Sequence, residues 1–189
     1  MWPGDLNRTC DEAGYCLGQV AVEEKSNEIT AIPELLDRIN IKGQIVTIVA
    51  MGTQTAIAEK IRSRRADYVL ALKGNQAGLR DDVRTYFEDA EFVKQIEETG
   101  CYRKTQEKAH SQIETREYYQ TDDIGWLPQR KNWKGLKSIG MERKTITRRN
   151  GTKSVEYRYY GCRAIFGYRA QLLSRVNFSL CLLTAAGFS

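Results

Sequence analysis

The stretch that decides the fold is QIVTIVAMGTQTAIAEKIRSRRADYVLALKGNQ, from Gln44 to Gln76, in which two apolar runs flank a charged, helix-like segment. The first run, Ile45 to Ala50, is too short for a typical helix and is rich in β-branched residues, and the second, Tyr68 to Leu72, is similar. Short, continuously apolar runs are typical of strands that are covered on both faces. We therefore predict one βαβ unit, in which a helix joins two parallel strands by a right-handed crossover.

The segment between the two runs predicts the crossover helix. Thr53 is a candidate N-cap, and Ile57 and Ile61 recur at helical spacing among charged residues. In open α/β sheets ligands gather beyond the carboxyl ends of the strands. Here those ends are Val49 to Gly52 and Lys73 to Gln76, so we expect any chemistry to lie there.

Further elements flank this unit. Leu17 to Glu23 predicts a short strand, and Ala31 to Ile39 predicts a helix for which Thr30 is a candidate cap. Another helix is expected from Leu79 to Ala90, where apolar residues again recur at helical spacing. Met1 to Cys16 has no useful periodicity, and its glycine, proline and asparagine residues favour a loop.

The half of the chain from Cys101 onward is rich in strand-forming residues. We predict strands at Gln112 to Gln120, Met141 to Thr147 and Ser154 to Tyr160. An Asn-Gly pair lies between the last two strands and is a strong signal for a hairpin. The predicted fold class is therefore α/β, with a parallel βαβ core followed by a strand-rich segment.

Composition indicates an ordinary globular chain. With 189 residues, of which 41% are apolar and 28% charged, it can bury one sizeable core, so one principal domain is expected. Its five cysteines are odd in number and show no C-x-x-C spacing, so neither a disulfide framework nor a zinc site is supported. The uncharged run Val176 to Ser189 is too short to cross a bilayer, and the chain does not begin with a signal pattern. We expect a location in the reducing cytoplasm.

Charge is divided unevenly along the chain. Residues 1–100 carry 12 Lys+Arg and 17 Asp+Glu, a net charge of −5, whereas residues 101–189 carry 17 and 7, a net charge of +10. Aromatic residues are interleaved with the basic ones: Trp126, Trp133, Tyr157, Tyr159, Tyr160 and Tyr168. A basic surface with aromatic side chains suits phosphate contact and base stacking. A solvated basic face over an aromatic core explains the same composition equally well.

Several consecutive words of the sequence resemble one protein family. SNEITAIPELLD is followed by IVTI, AMG, TQ, AEKI and DYVLALKGNQ, and later by HSQIETREYYQTDDI and LKSIG. From Leu17 to Tyr160 the chain resembles the ISAs1 family of bacterial insertion-sequence transposases, known also as H-repeat-associated proteins. The resemblance implies a ribonuclease H-like core of the DDE transposase kind. In that core three acidic residues hold divalent metal, Mg²⁺, for cutting and rejoining insertion-sequence DNA.

The positions that would hold the metal depart from the family pattern. The family reads IVTI-Asp-AMG, with the second acid of the triad at the position where this chain has Val49. Metal-assisted phosphoryl transfer needs carboxylate oxygens, which valine lacks. The first acid belongs to a strand upstream of the resemblance, and Tyr157 to Ser189, where the third would lie, contains no Asp or Glu. We expect no retained metal cofactor and no strand cleavage or transfer.

The resemblance also divides the chain. It leaves 1–16 unmatched, assigns 17–100 to a partial ribonuclease H-like core and 101–160 to a β-rich basic insertion, and leaves 161–189 as an unmatched tail. Because the sequence departs abruptly from the family after its RYY word, we expect the tail to result from a frameshift or a truncation. Loss of the first strand of the core is expected to leave a sheet edge exposed and to lower solubility.

The turn after the second strand supplies the first candidate nucleic-acid contacts. Lys73 follows that strand directly, and Gly74 permits close approach of the backbone, so Lys73 is a candidate phosphate contact, with Asn75 or Gln76 hydrogen bonding. A plain turn, in which Asn75 or Gln76 caps the next helix, explains the segment slightly better.

The second half supplies the remaining candidates. His110, which is the only histidine, and Arg116 match the family's H-x-x-x-E-T-R word, although a salt bridge to Glu114 explains Arg116 equally well. The predicted hairpin adds three basic residues as candidate DNA contacts: Arg148, Arg149 and Lys153.

The sequence therefore predicts a degenerate transposase fragment that has DNA as its partner. One alternative is a DNA-binding remnant that occupies transposon ends or associates with an intact transposase. Another is a metal-dependent nuclease that uses Asp81, Asp82 or Glu88, although the place of the two aspartates near a helix start favours a helix-stabilising role. A small interaction domain without a nucleic-acid role also stays open.

Overall fold

A computed structural model describes residues 6–10, 16–21, 28–48, 52–99, 101–109, 112–163 and 181–183. Within these residues nine strands form one sheet in the order β2-β1-β9-β3-β4-β8-β7-β6-β5. The strands are β1 (Leu6–Cys10), β2 (Cys16–Ala21), β3 (Ile45–Ile48), β4 (Asp67–Leu72), β5 (Tyr102–Ala109), β6 (Gln112–Thr121), β7 (Ser138–Arg148), β8 (Lys153–Cys162) and β9 (Cys181–Leu183). The helices are α1 (Glu28–Arg38), α2 (Thr55–Ser63), α3 (Ala77–Glu88) and α4 (Ala90–Glu98).

The predicted βαβ unit is confirmed. β3 and β4 are parallel neighbours, with Ile45 opposite Asp67 and Ile48 opposite Leu70. All four residues of β3 are buried, as the continuous apolar run requires. Between the two strands, α2 buries the predicted stripe that contains Ile57 and Ile61.

The predicted helix caps are wrong. Gln54, not Thr53, occupies the N-cap of α2 and makes no side-chain capping bond. Thr53 is instead fully buried, and its hydroxyl donates to the carbonyl oxygen of Ala71 at 2.7 Å. That bond ties the loop after β3 to β4. Thr30 lies inside α1, which begins three residues earlier than predicted.

The helix predicted from Leu79 corresponds to α3, which begins at Ala77 and is followed by α4 after a break at Asp89. The prediction did not include α4. It begins where the Asp89 carboxylate accepts the backbone N–H groups of Glu91 and Phe92, at 2.9 and 3.4 Å. A side-chain oxygen at the N-cap satisfies donors that the helix cannot pair internally.

The amino-terminal segment differs from its prediction. The loop predicted for Met1 to Cys16 is wrong at residues 6–10, which form β1 and pair antiparallel with β2. The strand predicted from Leu17 is confirmed as β2. The exposed edge expected beside the core is occupied, because β9 pairs antiparallel with β3 and parallel with β1. Short strands that pair with both parallel and antiparallel neighbours carry too little local periodicity to be predicted from the sequence.

The strand-rich half forms an antiparallel meander, β5 to β8, that continues the same sheet. β8 pairs antiparallel with β4, from Val69 opposite Cys162 to Leu72 opposite Tyr159. The predicted hairpin between β7 and β8 is confirmed, and Gly151 at its turn has φ +81°, a conformation that glycine adopts without strain.

The core lies where α2, α3 and α4 cover the centre of the sheet. Its side chains come from both halves of the chain and include Leu36, Val46, Ile61, Tyr68, Leu70, Val83, Tyr119, Trp133, Ile139 and Met141. Helix cover ends along β5 to β8, so the outer halves of these strands meet solvent on both faces. In the described part of the chain no helix is both long and apolar enough to cross a membrane.

Candidate nucleic-acid interface

The outer half of the meander presents two faces of different chemistry. Strand register aligns its residues in rows, since side chains of directly opposed residues share a face. On one face, which we call the open face, the rows are Lys104-Glu117-Arg143-Tyr157, Gln106-Thr115-Thr145-Val155 and Lys108-Ile113-Thr147-Lys153. The other, the paired face, carries Arg103-Tyr118-Glu142-Arg158, Thr105-Arg116-Lys144-Glu156 and Glu107-Glu114-Ile146-Ser154.

The open face is basic. Lys104, Lys108 and Lys153 are exposed, and Glu117 is the one carboxylate in its rows. Glu117 is nearly buried and accepts a hydrogen bond from Arg143 Nε at 2.8 Å, so its charge is compensated within the sheet. Burial would raise the pKa of Glu117, but the hydrogen bond and charge of Arg143 outweigh it and hold the pKa below its usual value. The three lysines therefore give this face a net positive field.

The paired face is neutralised internally. Its four basic residues stand among four carboxylates, and Arg116 contacts Glu114 at 2.6 Å and Glu142 at 3.0 Å. Lys144 contacts Glu114 at 2.9 Å, and this hydrogen bond is the largest of the effects that hold the pKa of Glu114 below its usual value. Arg116 therefore holds a strand pair together, and the salt-bridge reading of the sequence is the one that the geometry supports.

Two clefts border the open face and meet at Tyr157. One, of about 670 Å³, lies between α3, α4 and the sheet, and Arg80, Arg84, Lys94 and Arg143 are among its lining residues. The other, of about 530 Å³, lies at the carboxyl end of β4, where its lining includes Lys73. Both clefts share Arg80, Tyr157 and Tyr159. Together they extend the basic surface from the meander to the edge where the βαβ unit was expected to bind ligands.

Acidic residues in the clefts are engaged within the protein. Glu88 lies 3.6 Å from Arg84, and Glu156 accepts a hydrogen bond from Arg158 at 3.1 Å. Glu97 accepts one from the hydroxyl of Tyr119 at 3.2 Å. These contacts reduce the repulsion that the carboxylates would exert on a phosphate backbone.

The candidate DNA contacts in the turn after β4 differ in whether their side chains are engaged within the protein. Lys73 is exposed, whereas the side-chain amides of Asn75 and Gln76 donate to the carbonyl oxygen of Thr53 at 3.4 and 3.0 Å. These two amides tie the turn after β4 to the loop after β3. Gln76 occupies the N-cap of α3 but makes no side-chain capping bond, so the capping alternative is wrong for its side chain.

The described groups at this edge do not assemble a magnesium site. Mg²⁺ requires oxygen ligands in near-octahedral geometry and is held mainly through carboxylates. The described polar groups here are the Thr53 hydroxyl, which is engaged with Ala71, the Lys73 ammonium and the two amides of the turn. The one carboxylate that lines the neighbouring cleft, Glu156, accepts a hydrogen bond from Arg158. Over the whole described part of the chain, no three His, Cys, Asp or Glu side chains lie where they could share a metal ion.

The acids of α3 do not form a metal site. Asp81 and Glu88 are exposed and lie 3.7 and 3.6 Å from the Arg84 guanidinium. Because α3 begins at Ala77, Asp81 and Asp82 fall in its second turn, not in the first. The arrangement gives no support to a nuclease site at these residues.

The remaining candidate DNA contacts and the metal position lie in different parts of the chain. Arg148 and Arg149 are exposed at the hairpin tip, and Lys153 lies on the open face beside them. Val49 and His110 lie outside the described residues. Prediction missed Lys104, Lys108, Arg143 and Arg80. Lys104 and Lys108 are four residues apart in β5, YRKTQEKA, and the strand period of two, which places both on one face, is the signal that could have indicated them.

The aromatic residues divide between core and surface. Trp133, Tyr159 and Tyr160 are buried, as the core explanation requires. Tyr157 is 51% exposed and Trp126 is 40% exposed. Tyr168 lies outside the described residues. The core interpretation is therefore confirmed for Trp133, Tyr159 and Tyr160. Trp126 stacks on Tyr86 within the protein, at 5.2 Å between ring centroids, and base stacking by Tyr157 stays a prediction.

The mixed α/β architecture, with a parallel pair at its centre and an antiparallel extension, is consistent with the ribonuclease H-like fold of DDE transposases. Residues 8–163 match the family model described as "Transposase DDE domain". The chain therefore belongs to the transposase DDE domain family, for which DNA is the implied partner.

The chain is also similar to individual proteins over most of its length. The chain is 39% identical over 150 residues to the "H repeat-associated putative transposase YhhI" of Escherichia coli (strain K12), covering 76% of this chain and 38% of that protein. It is 39% identical over 153 residues to the "Putative transposase YncI" of Escherichia coli O157:H7, covering 79% and 38%. It is 42% identical over 130 residues to the "Uncharacterized protein in dhlA 3'region" of Xanthobacter autotrophicus, covering 69% and 43%. The chain thus spans about two fifths of the length of these relatives.

Proposed function

We propose that this chain is part of an insertion-sequence transposase of the ISAs1 kind that binds DNA through its open face but does not itself cut or join strands. The single observation that supports DNA binding is the clustering of Lys104, Lys108 and Lys153 on one face, where the one carboxylate is already bound by Arg143. Exposed basic side chains of this kind can displace counterions from phosphates.

The proposed inactivity follows from the residues at the carboxyl end of β3. A strand that ends in Ile48 is followed by Val49, at the position that the family resemblance assigns to the second acid. The neighbouring described groups offer a hydroxyl, an ammonium, amides and one carboxylate, that of Glu156, which already accepts a hydrogen bond from Arg158. This set does not supply a free group of carboxylate ligands for magnesium. The parent reaction, metal-dependent cleavage and transfer of insertion-sequence DNA, is therefore not assigned to this chain.

The proposed setting is the bacterial cytoplasm. Cys101 and Cys162 are free thiols, as a reducing compartment favours. An intact transposase of the same kind is the proposed protein partner, because a chain that binds the same ends without cutting them would compete with the active enzyme or join its complex.

Fluorescence anisotropy with labelled DNA tests the binding surface. We expect affinity to fall as salt rises. The triple variant Lys104→Ala/Lys108→Ala/Lys153→Ala should reduce the slope of log K against log[salt] by about 2, because each phosphate that is no longer neutralised lowers it by roughly 0.7–0.9. A matched control, Lys42→Ala/Lys131→Ala/Lys134→Ala, removes the same charge from exposed positions elsewhere. Equal losses of affinity in the two variants would show that net charge, not this face, carries the binding.

A second assay tests inactivity. Supercoiled plasmid incubated with the protein and Mg²⁺ or Mn²⁺ should remain intact, and labelled insertion-sequence ends should not be joined to target DNA. Nicking or joining that depends on the metal and copurifies with the chain would overturn this half of the proposal. Binding to insertion-sequence ends no tighter than to shuffled DNA would remove the transposon-end role.

A further inference from the structure

The open face carries exposed apolar side chains among its lysines. Tyr157 and Val155 are each 51% exposed and Ile113 is 37% exposed, and they fall in three successive rows of the register. Each row also contains a basic residue or a polar one: Arg143 beside Tyr157, Thr145 beside Val155 and Lys153 in the row of Ile113. Apolar surface and positive charge are therefore interleaved over the same part of the sheet.

Duplex DNA makes only partial use of this arrangement, because apolar side chains can reach base edges in its grooves but not the faces of its paired bases. Its outer surface presents phosphates and sugars, whereas the faces of its bases are stacked inside. An exposed aromatic ring can stack on the face of a base only where that base is unpaired or terminal, and proteins that bind single strands combine such rings with a positive groove. A surface that bound only duplex would use the lysines, but it would leave the face of the Tyr157 ring without a base on which to stack.

Tyr157 has the position that stacking requires. It lies where the two clefts meet, between Lys73 at the end of β4 and Arg143 in the next strand of the sheet. Its neighbour Arg143 is held by Glu117 at 2.8 Å and by the hydroxyl of Tyr119 at 3.0 Å. The guanidinium beside Tyr157 is thus fixed in place before any ligand binds, which lowers the ordering cost of binding.

We infer that the open face binds single-stranded or unpaired DNA in preference to duplex, with a base stacked on Tyr157 and the backbone following Lys73, Arg143 and the lysines of the outer rows. This inference rests on the proposed function and deepens it by naming the form of DNA. Unpaired strands occur wherever duplex ends are opened or frayed, so the surface would recognise an opened end and not an intact site.

Anisotropy titrations of a labelled 20-nucleotide strand and of the corresponding duplex, at the same salt, test the inference. We expect the single strand to bind more tightly. Tyr157→Ala should weaken single-strand binding about 5- to 140-fold, as the loss of one stacked base implies, and weaken duplex binding less than about twofold. Tyr157→Phe keeps the ring and should bind the single strand like the wild type.

The outcomes separate the two proposals. Duplex bound as tightly as the single strand, or single-strand affinity unchanged in Tyr157→Ala, would overturn this inference and leave the proposed function standing. No binding to either form would overturn both. Because Tyr157 is half exposed, its substitution should not disturb the fold, and unchanged urea unfolding of Tyr157→Ala checks this point.

Discussion

Replacing Glu142 by alanine tests the ion-pair network that stabilises the paired face. The Glu142 side chain is 2% exposed and accepts hydrogen bonds from Arg116 and from the hydroxyl of Tyr160, each at 3.0 Å. Arg158 Nη1 lies 3.9 Å from the same carboxylate. One buried carboxylate therefore joins residues of β6, β7 and β8, and its removal leaves two cations and a buried hydroxyl without that acceptor.

The expected loss of stability can be bounded from this geometry. Breaking a buried ion pair by removing one partner typically costs about 3–5 kcal/mol of unfolding free energy. The lower end applies here, because the side chains of Arg116 and Arg158 are 32% and 31% exposed and can regain water. We expect Glu142→Ala to cost about 3 kcal/mol, Tyr160→Phe about 1.5 kcal/mol for one hydrogen bond to a charged group, and Glu142→Gln an intermediate amount, since it keeps the volume and removes the charge.

Urea unfolding followed by circular dichroism measures these differences. With a slope near 2 kcal/mol per M, a loss of about 3 kcal/mol moves the midpoint by about 1.5 M. The matched control is Glu34→Ala, which removes the exposed pair between Glu34 and Arg38 and should cost about 0.5 kcal/mol or less. If Glu142→Ala costs no more than this control, the reasoning about the buried network is wrong.

Three further predictions concern other parts of the fold. Gly52→Ala should cost about 1–3 kcal/mol in the same urea assay, because an added Cβ would lie 2.6 Å from Cγ2 of Ile48, whereas Gly74→Ala, with no atom within 4 Å, should be nearly neutral. The folded pKa of Glu117 lies below its unfolded value of 4.5, so its contribution to stability is present above pH 4.5 and is lost as pH falls through the folded pKa. Glu117→Gln should therefore flatten the loss of stability below pH 4.5, and an unchanged pH profile would contradict this. Asp89→Ala removes the N-cap of α4 and should cost about 1 kcal/mol; no change in urea midpoint would show that this cap is not needed.

Gly52 also explains one word of the family resemblance in physical terms. It follows β3 within the word AMG, and an added Cβ would meet Ile48 and the buried side chain of Ile32. The glycine is therefore required by the close approach of α1 to the end of β3. This requirement comes from packing alone and is independent of metal binding.

Local patterns predicted a large part of this architecture. The two apolar runs indicated β3 and β4 because a buried parallel strand needs no partner-specific signal beyond continuous apolar character. The hairpin followed from Asn150 and Gly151 because few residues other than glycine adopt positive φ without strain. Helix starts were less accurate, since several polar residues near each start could have served as the cap. The hydroxyl of Thr53 does not cap α2 and instead donates to the carbonyl oxygen of Ala71, eighteen residues further along the chain.

The sequence alone shows that no carboxylate follows Ile48 directly, because Val49 occupies that position whatever the fold. The proposed binding surface, in contrast, depends on the tertiary structure. Which basic residues face solvent depends on the pairing of strands that are far apart in sequence, and that pairing placed Arg116 beside Glu142, 26 residues away, while it placed Lys104 and Lys153 on the opposite side of the sheet. Charge composition reports how many cations a chain has, but the alternation of side chains across paired strands determines which of them are neutralised and which are left to meet a ligand.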